Sequence, residues 1–358
     1  MDDRTQQWIE RIRSAAASGQ ALRWRGGGSK DFYGQALAGE ILDTRGHCGI
    51  IAYEPSELVI TARSGTSLKE IEAALAAAGQ MLGFEPPHFG KESNNATLGG
   101  CIAAGLSGPR RASAGAVRDF VLGLRLIDGV GRMLNFGGQV MKNVAGFDVS
   151  RLMAGSLGTL GLFLDISLKV LPKPRSELSL RFEMPQHKAI ETLNRWAGKP
   201  LPISASCWVA DELVVRLSGA RAAVDAARQQ LGGETLDAEA GAACWMAWRE
   251  QQTDFFAGEL PLWRLSVPSV APPLDLHGEQ LIEWGGSLRW LSSGAAAESI
   301  RNAAAQAGGH ATLFRASEDL KQEAGVFHPL PHHMLALQRR IKHCFDPHGL
   351  FNPGRMYL

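Results

Sequence analysis

The clearest candidate for chemistry near the N-terminus is a run of three glycines between two cations. Residues 25–30 read RGGGSK and follow a short apolar segment. Because glycine has no Cβ, backbone N–H groups can close around an anion there, and the adjacent cations add electrostatic attraction. We predict a phosphate-binding nest formed by Arg25, Gly26, Gly27, Gly28, Ser29 and Lys30. The alternative for the same string is a flexible surface turn.

Two further glycine-rich strings lie at residues 94–111 (NNATLGGCIAAGLSGPRR) and 155–161 (GSLGTLG). The first is predicted to be a loop whose open backbone packs against something flat or long, through Thr97, Leu98, Gly99, Gly100, Gly105, Ser107 and Gly108. The second lacks the GxGxxG spacing of a Rossmann turn and has no acidic residue about 20 positions further on. No GxxxxGK[ST], GxSxG or HExxH occurs in the chain. These patterns argue against a Rossmann fold, a P-loop enzyme, an α/β-hydrolase and a zincin.

The cysteines and histidines show no pattern typical of a metal or redox centre. The five cysteines are scattered without a CxxC, which excludes an iron–sulfur or zinc-ribbon module and a disulfide framework, and fits a reducing compartment. His328, His332 and His333 are close together, but two prolines interrupt them, so we interpret them as loop residues rather than metal ligands. His310 is interpreted as the first residue of a strand. No metal site is predicted, and no catalytic residue is assigned.

Composition and charge indicate a globular protein with two domains. The chain has 358 residues, of which 45% are hydrophobic and 20% charged. Lysine plus arginine (37) nearly cancels aspartate plus glutamate (36), which argues against a nucleic-acid partner. The N-terminus is charged from its second residue, and no apolar run is long enough to span a bilayer. A cytoplasmic protein is expected, with peripheral docking at a membrane as the alternative.

The elements that must position the glycine-rich strings are short strands and one well-marked helix. A capping box of Ser67 and Glu70 begins a helix whose apolar face is Leu68, Ile71, Leu75 and Ala78. Residues 117–127 and 132–136 are predicted to pair as a hairpin across an Asp-Gly turn. A strand at 162–171 ends at Pro172, which we take as the boundary of a domain over residues 1–172.

Residues 173–325 have fewer glycines and hold seven of the nine tryptophans. Their pattern predicts strands at 178–182, 204–209, 213–217, 262–267, 280–284, 287–291 and 311–314, and helices at 188–197, 222–231, 245–249 and 296–307. This order predicts an α+β domain whose antiparallel sheet carries helices on one face. Trp208, Trp263 and Trp290 are expected in its core, and Trp245 and Trp248 at an interface. Residues 326–358 form a C-terminal segment with one helix.

Several strings together resemble a known family. They are RGGGSK, TLGGCIAAGLSGPRR, KNVAGFDVSRL, GSLGTLG and the terminal FDPHGLFNPGR. In this order they resemble the vanillyl-alcohol-oxidase, or PCMH-type, FAD-binding family, and within it the FAD-binding subunits of bacterial glycolate-oxidising complexes. The resemblance implies a PCMH-type FAD-binding domain followed by an α+β cap domain, with the C-terminal segment returning to the FAD domain.

The resemblance also implies site residues. The FAD pyrophosphate would lie between residues 26–30 and the stretches 97–100 and 105–108, and Asp119 and Val121 would begin the strand under the flavin. The remaining residues implied near the cofactor are Lys142, Asn143, Leu160, Gly161, Leu162, Asn352 and Arg355. Ser29 stands where some relatives attach flavin through a histidine, so FAD is expected to be non-covalent, with Cys101 as the alternative attachment point.

The implied function is FAD-dependent oxidation of glycolate, a small 2-hydroxy acid, to glyoxylate within a complex. The implied partners are a catalytic flavoprotein paralogue and an iron–sulfur subunit. Two alternatives stay open: an assembly subunit with a vestigial flavin site, and a stand-alone flavin oxidoreductase acting on another 2-hydroxy acid.

Overall fold

A computed structural model describes residues 3–90, 96–138 and 148–357. The chain forms two compact units. The first unit contains Met1–Leu106, Ala116–Pro172 and Pro329–Leu358, and the second contains Ser107–Gly115 and Lys173–His328. The nine residues 107–115 therefore pack in the second unit, although they lie inside the sequence range 1–172 that was predicted as one domain.

The secondary structure alternates short strands and helices along the described chain. The helices are α1 (Asp3–Ser18), α2 (Leu68–Ala77), α3 (Leu98–Ala104), α4 (Arg111–Ala114), α5 (Val149–Leu152), α6 (Gln186–Ala197), α7 (Arg221–Leu231), α8 (Ala238–Glu250), α9 (Asp254–Ala257), α10 (Ala297–Gln306), α11 (Glu318–Ala324) and α12 (His332–Phe345). The strands are β1 (Leu22–Arg25), β2 (Glu40–Asp43), β3 (Ile50–Glu54), β4 (Val59–Arg63), β5 (Gln80–Met81), β6 (Val121–Ile127), β7 (Met133–Gly137), β8 (Leu162–Lys169), β9 (Leu171–Pro172), β10 (Ser176–Glu183), β11 (Ile203–Val209), β12 (Glu212–Gly219), β13 (Glu234–Thr235), β14 (Leu262–Ser266), β15 (Glu279–Glu283), β16 (Leu288–Ser292) and β17 (His310–Arg315).

The first unit is built on an antiparallel sheet in the order β3-β4-β8-β6-β7, beside a parallel pair of β1 and β2. One apolar cluster joins the two ends of the chain, because Ile12 of α1 packs with Leu164 of β8 and Phe351 of the C-terminal tail. Each of these three side chains is fully buried, so the tail is part of this unit's core.

Helix α2 and the hairpin follow the local sequence signals. The Ser67 hydroxyl accepts a hydrogen bond from the Glu70 amide at 3.1 Å, as an N-cap does. Leu68, Ile71 and Leu75 are fully buried, but Ala78, predicted on the same face, is the exposed C-cap. Strands β6 and β7 form the predicted hairpin, although residues 117–119 make a 3₁₀ turn before it.

Residues 98–104, predicted as part of an open loop, form helix α3. The Thr97 hydroxyl caps it by accepting from the Gly100 amide, and Gly105 ends it with a φ of +69°. Leu98, Cys101 and Ile102 are buried at the i, i+3 and i+4 positions of one face. The two glycines in the first turn obscured this pattern in the sequence, because glycine disfavours helix.

Eight of the described strands form the sheet of the second unit, in the order β13-β10-β12-β11-β15-β16-β14-β17, with all pairs antiparallel. On one face, Leu180 of β10 packs with Ile190 of α6 and Val224 of α7. Its neighbour Ser179 points to the opposite face, where its hydroxyl accepts from Trp245 Nε1 of α8 at 2.8 Å. The α+β antiparallel fold is confirmed, but helices cover both faces of this sheet rather than one.

The tryptophans of the second unit are mostly core residues. Trp208, Trp263 and Trp290 are buried as predicted. Trp245 and Trp248 are buried too, with ring centroids 4.9 Å apart, so the prediction that they form an interface is wrong. The pattern behind that prediction, two tryptophans beside charged residues, belongs instead to helix α8, which packs on the second face of the sheet.

The predicted positions of the histidines are confirmed for His310 and wrong for His332 and His333. His310 begins β17 as predicted, whereas His332 and His333 lie in the first turn of α12 rather than in a loop. Pro331 stands at the N-cap of α12, a place where proline does not interrupt the helix. None of the helices in the described ranges is both long and apolar enough to cross a membrane.

Candidate cofactor-binding cleft

The first unit contains an open cleft of about 580 Å³ at the end of β1. It brings together the first glycine-rich loop, helix α3 and the C-terminal tail. The predicted site residues that line it are Arg25, Gly26, Gly27, Gly28, Ser29, Lys30, Thr97, Gly100, Asn352 and Arg355. Segments more than 300 residues apart in the sequence therefore line one cavity.

The loop after β1 presents bare backbone to the cleft. Gly28 has a φ of +72°, a conformation that favours glycine, so the required glycine is at this position of the string. The amides of Gly26, Gly27, Gly28 and Ser29 donate to no acceptor in the described chain. A Cβ on Gly26 would lie 2.2 Å from Thr97 Oγ1, so the loop and α3 approach as closely as a glycine allows. Free amides on one loop form a cradle for an anion.

The charges around this loop are mostly positive. Arg23 and Arg25 share a single carboxylate, that of Asp31, at 2.6 Å and 3.0 Å. Lys30 Nζ donates to the Ser29 hydroxyl and to the His88 carbonyl, each at 3.3 Å, and lies 5.6 Å from the centre of the Phe89 ring. Two guanidinium groups that share one carboxylate leave an excess of positive charge beside the amides, which favours a phosphate group.

A second chamber of about 400 Å³ continues the cleft along β8. It is lined by Trp24, Gly26, Thr44, Ser64, Gly99, Gly100, Ala103, Leu157, Gly158, Gly161, Leu162, Phe163 and Asn352. Three polar atoms on its walls, Trp24 Nε1, Ser64 Oγ and Asn352 Oδ1, are buried and have no hydrogen-bond partner in the described chain. Buried polar atoms are nearly always satisfied, so these three indicate a ligand with polar groups in this chamber.

The C-terminal tail holds the walls of the cleft together. Arg355 is buried, and its guanidinium donates to the carbonyls of Asp31 (2.7 Å), Tyr33 and Gln35, which follow the glycine loop. Asn352 donates through Nδ2 to the Leu157 carbonyl at 2.7 Å. Arg355 thus positions the loop, while Asn352 connects the tail to the turn before β8.

A buried carboxylate fixes the tail itself. Asp346 is fully buried and accepts hydrogen bonds from the amides of Leu350 and Phe351 at 3.0 Å and 2.7 Å. Lys342 Nζ donates to Asp346 at 2.5 Å and to two carbonyls. Burial lowers the pKa of Lys342, and the neighbouring carboxylate raises it in part. The string DPHGLFNPGR is therefore a folded turn whose shape depends on one ion pair.

The other predicted site residues lie outside this cleft. Leu98 is the buried first residue of α3. Gly105 ends that helix, and a Cβ added to Gly105 would lie 2.7 Å from the Gly155 Cα. Asp119 accepts from the Ala116 amide in the 3₁₀ turn, and Val121 is a buried residue of β6. Leu160 lines a different cavity. Ser107 and Gly108 belong to the second unit, and Lys142 and Asn143 lie outside the described residues.

Sequence reasoning missed several residues that line the cleft. Trp24 directly precedes RGGGSK, but its residue type gave no sign of a role, and Ser64 directly follows β4 with no motif around it. Leu157 and Gly158 lie inside GSLGTLG, so the position of that string could have indicated them. Asp31 directly follows RGGGSK, and its pairing with two arginines becomes evident only once β1 places them together.

Cys101 does not face the cleft. It is fully buried in α3 and absent from the cleft's walls, and burial raises the pKa of its thiol to about 12. A thiol in that state is a poor nucleophile. Within the described ranges, no three His, Cys, Asp or Glu side chains gather into a group that could hold a metal ion.

Comparison with known proteins identifies the family. Residues 3–137 match the family described as FAD binding domain. The Escherichia coli (strain K12) protein named Glycolate oxidase subunit GlcE is 50% identical over 99% of this chain and 98% of its own length. The chain belongs to the GlcE family. This membership confirms the predicted PCMH-type fold and FAD as the cofactor of the family.

More distant relatives share only the FAD-binding part or the fold. A D-lactate dehydrogenase of Archaeoglobus fulgidus is 34% identical over 39% of this chain and 31% of its own length. The Glycolate oxidase subunit GlcD of Bacillus subtilis (strain 168) is 32% identical over 37% of this chain and 27% of its own length. A solved alkyldihydroxyacetonephosphate synthase matches 96% of this chain and 73% of its own with a TM-score of 0.66 at 14% identity, which shows the fold alone.

The cleft fits an FAD of the kind this family binds. The free amides and cations at residues 25–30 suit a pyrophosphate, and the adjoining chamber offers apolar walls with orphaned polar atoms, as a ring with hydrogen-bonding nitrogens requires. This match is made by the chain's own atoms and does not depend on the relatives.

Proposed function

We propose that this protein is the FAD-carrying subunit of a complex that oxidises glycolate to glyoxylate. The observation that carries the proposal is the cleft, whose free amides, cations and orphaned buried polar atoms complement FAD. The substrate follows from 50% identity, over nearly the whole chain, to a protein named as a glycolate oxidase subunit. When bound, FAD would supply the acceptor for the hydride of a 2-hydroxy acid, which carries both electrons of the oxidation, while the hydroxyl proton leaves separately.

The chain's own residues bind and orient the cofactor in this proposal. The amides of residues 26–29 and the side chains of Arg25 and Lys30 hold the pyrophosphate. Trp24, Ser64 and Asn352 contribute the hydrogen bonds that their buried atoms lack, and Leu162 and Phe163 provide apolar contact beside them. Arg355 keeps the loop in the shape that this requires.

We propose that FAD is held without a covalent bond. Ser29 occupies the loop position at which some relatives carry a histidine, and the Cys101 thiol is buried away from the cleft. Acid precipitation of the purified protein should release all flavin fluorescence into the supernatant. Fluorescence that stays with the precipitate would contradict a non-covalent site.

We propose as partners a catalytic flavoprotein paralogue and an iron–sulfur subunit. The E. coli relative is named as a subunit of glycolate oxidase, which supports an assembly. Oxidation of glycolate releases two electrons, and an iron–sulfur subunit is the class of protein that would accept them one at a time. We place the assembly in the cytoplasm, with contact to the membrane arising through those partners.

The deciding experiment compares the visible spectrum of the chain purified alone and with its partners. We expect flavin absorbance in the isolated chain and glycolate-dependent dye reduction in the assembly. An isolated chain without flavin, together with an assembly that holds no more flavin than the flavoprotein paralogue accounts for, would instead favour an assembly subunit with a vestigial site. Full glycolate oxidation by the isolated chain would contradict the requirement for partners.

A further inference from the structure

Asp31 brings a negative charge to the wall of a cleft that is otherwise suited to an anion. Its Oδ2 atom accepts a hydrogen bond from Arg23 Nη2 at 2.6 Å, and Arg25 Nε lies 3.0 Å from the same oxygen. All three residues line the cleft. By its charge alone, the carboxylate would repel a phosphate group. Its place in the cleft therefore calls for a role that outweighs this repulsion.

The two arginines that share Asp31 differ in what they offer to a ligand. The Arg23 side chain is only 13% exposed, and its Nη2 is already bonded to the carboxylate. The Arg25 side chain is 44% exposed, and its guanidinium donates no hydrogen bond to an acceptor in the described chain. Its approach to Asp31 is an ion pair. Arg25 is therefore held by charge while its N–H groups stay available.

The Arg25 guanidinium lies directly against the glycine loop. A Cβ added to Gly28 would be 2.6 Å from Arg25 Nη2 and 2.8 Å from Arg25 Nε. The guanidinium thus occupies space that only a glycine leaves open, next to the loop whose amides at residues 26–29 are free. Charged donors and backbone donors then act side by side on one ligand, as a pyrophosphate requires.

The backbone of Asp31 is fixed independently of its side chain. Its amide donates to the Gly28 carbonyl at 3.0 Å, and its carbonyl accepts from Arg355 Nη2 at 2.7 Å. The carboxylate therefore projects from a point that the loop and the C-terminal tail both hold. A change of this side chain leaves both backbone hydrogen bonds in place.

We propose that Asp31 is a positioning residue for the cofactor. Its carboxylate, braced by Arg23, holds the Arg25 guanidinium against the glycine loop, where Arg25 and the free amides bind the pyrophosphate together. The inference rests on the proposed function, because it takes FAD as the ligand of the cleft. A side chain that is already held in place loses less conformational freedom when its ligand binds, and this gain outweighs the repulsion from one carboxylate.

The sign of one substitution separates positioning from repulsion. Asp31→Asn keeps the shape of the side chain and removes its charge. Repulsion alone predicts that the variant binds FAD more tightly, whereas positioning predicts that it binds FAD more weakly. We expect the affinity of the deflavinated full chain for FAD, measured by flavin fluorescence, to fall at least tenfold. An affinity equal to or above that of the unaltered chain would overturn the proposal.

The matched control is Asp43→Asn, which makes the same change of charge nearby. Asp43 is opposite Arg25 in the register of β1 and β2, but its carboxylate bonds to Arg45, and it is not among the described residues that line the cleft. Its FAD affinity should stay within twofold of the unaltered chain. A loss as large as that of Asp31→Asn would overturn the proposal, because any nearby carboxylate would then suffice.

A conservative variant tests whether the charge of Asp31 is what matters. Asp31→Glu keeps the carboxylate on a longer side chain, so its FAD affinity should stay within threefold of the unaltered chain. An affinity as low as that of Asp31→Asn would overturn the role of the ion pair.

A double-mutant cycle tests the route through Arg25. Arg25→Met alone should lower FAD affinity at least tenfold. Adding Asp31→Asn to Arg25→Met should lower it by less than a further twofold, because the group that Asp31 positions is already gone. A further tenfold loss in that background would mean that Asp31 supports the loop in general, and it would overturn the proposal.

ADP separates this outcome from that of the proposed function, because it carries the pyrophosphate without the flavin. If the unaltered chain binds ADP with the same dependence on Asp31 and Arg25 but does not bind FAD, the proposed function fails and the positioning of a pyrophosphate stands. If all the variants bind FAD equally well, FAD binding stands and the positioning role fails.

Discussion

Gly26 is a position where the cleft leaves no room for a side chain. A Cβ added there would lie 2.2 Å from the Thr97 hydroxyl, well inside van der Waals contact. In Gly26→Ala the loop must move away from α3, which separates two walls of the cleft. We expect FAD affinity, measured by flavin fluorescence, to fall at least tenfold, with a stability loss of about 1–3 kcal/mol from overpacking.

The matched control is Gly138→Ala. A Cβ there has nothing within 4 Å, and its φ is not positive, so the substitution is free of strain. Flavin binding should stay unchanged in the control. Equal affinity in both variants would show that the contact between the loop and α3 does not shape the cofactor site.

Arg355 and Arg289 are two buried arginines that each bind backbone carbonyls. Arg289 of β16 donates to Gly286, Pro272 and Ala271 in the second unit, and burial lowers its pKa to about 10. Replacing either one by methionine leaves buried carbonyls without donors, so each should cost about 2–4 kcal/mol in free energy of unfolding. Only Arg355→Met should also weaken FAD binding, because only Arg355 holds the loop at the cleft.

Chemical rescue separates positioning from a general loss of stability. In Arg355→Ala, added guanidinium ion at millimolar concentration should restore part of the FAD affinity by occupying the vacated site. The same ion should not change FAD affinity in Arg289→Ala. Equal losses of affinity in both alanine variants would mean that the effect of Arg355 is simply structural.

At the scale of elements, the C-terminal turn depends on Asp346. Asp346→Asn removes a buried charge that pairs with Lys342, and it places an amide group against two backbone donors. We expect a loss of about 3 kcal/mol in free energy of unfolding, as for one broken partner of a buried pair. Hydrogen exchange should locate the loss in residues 346–355, and an unprotected turn with full flavin binding would contradict its role in the cleft.

The elements that sequence reasoning found are those with strong local signals. Helix α2 has a cap and a clean apolar face, and the hairpin has an Asp-Gly turn, so neighbours in the sequence determine both. Helix α3 was missed because its stability comes from burial of Leu98, Cys101 and Ile102, which outweighs two glycines. Which face of the sheet α8 covers depends on tertiary packing, and no local pattern encodes it.

The residues of the cofactor-binding cleft likewise divide into those with a local sequence signal and those without one. RGGGSK could be predicted as a site because several unusual residues are contiguous. The residues of the C-terminal tail could be predicted only through the resemblance to a family. Trp24 lies in β1 and Ser64 directly follows β4, so only the cavity that both line shows that they belong to one site. Arg355 was expected near the cofactor without a stated role, and the bonds from its guanidinium to carbonyls of its own chain become evident only in the structure.

At the scale of the whole molecule, stability should fall with acid because of the second unit. Burial lowers the pKa of His310 and of His328, whose rings lie 6.3 Å apart near Arg264 and Arg301. The folded state then binds fewer protons than the unfolded state near pH 6, so stability is lost as pH falls below about 6.5. His310→Gln with His328→Gln should flatten the dependence of Tm on pH between about 7.5 and 5.5; an unchanged slope would exclude these histidines as its cause.

The insertion of residues 107–115 into the second unit gives another prediction. Arg110 donates to Glu177 at 2.7 Å, and Trp284 Nε1 donates to the Gly108 carbonyl at 3.0 Å. Arg110→Met should therefore reduce hydrogen-exchange protection in β10 and β11 of the second unit, although the residues before 107 and after 115 belong to the first unit. Arg111→Met, which changes a guanidinium stacked on the Trp284 ring in the same segment, is the comparison. Loss confined to β6 and β8 would contradict the assignment of the segment.

The joining of Arg355 to Asp31, 324 residues earlier, has a consequence for synthesis in the cell. The glycine loop leaves the ribosome well before the residues that brace it, which are translated only after the whole second unit. A nascent or prematurely terminated chain thus has an incomplete cradle, and contacts so distant in sequence form slowly. We therefore expect tight FAD binding to wait until Arg355 has been translated and has packed against Asp31, so that bound flavin reports a chain in which this long-range contact has formed.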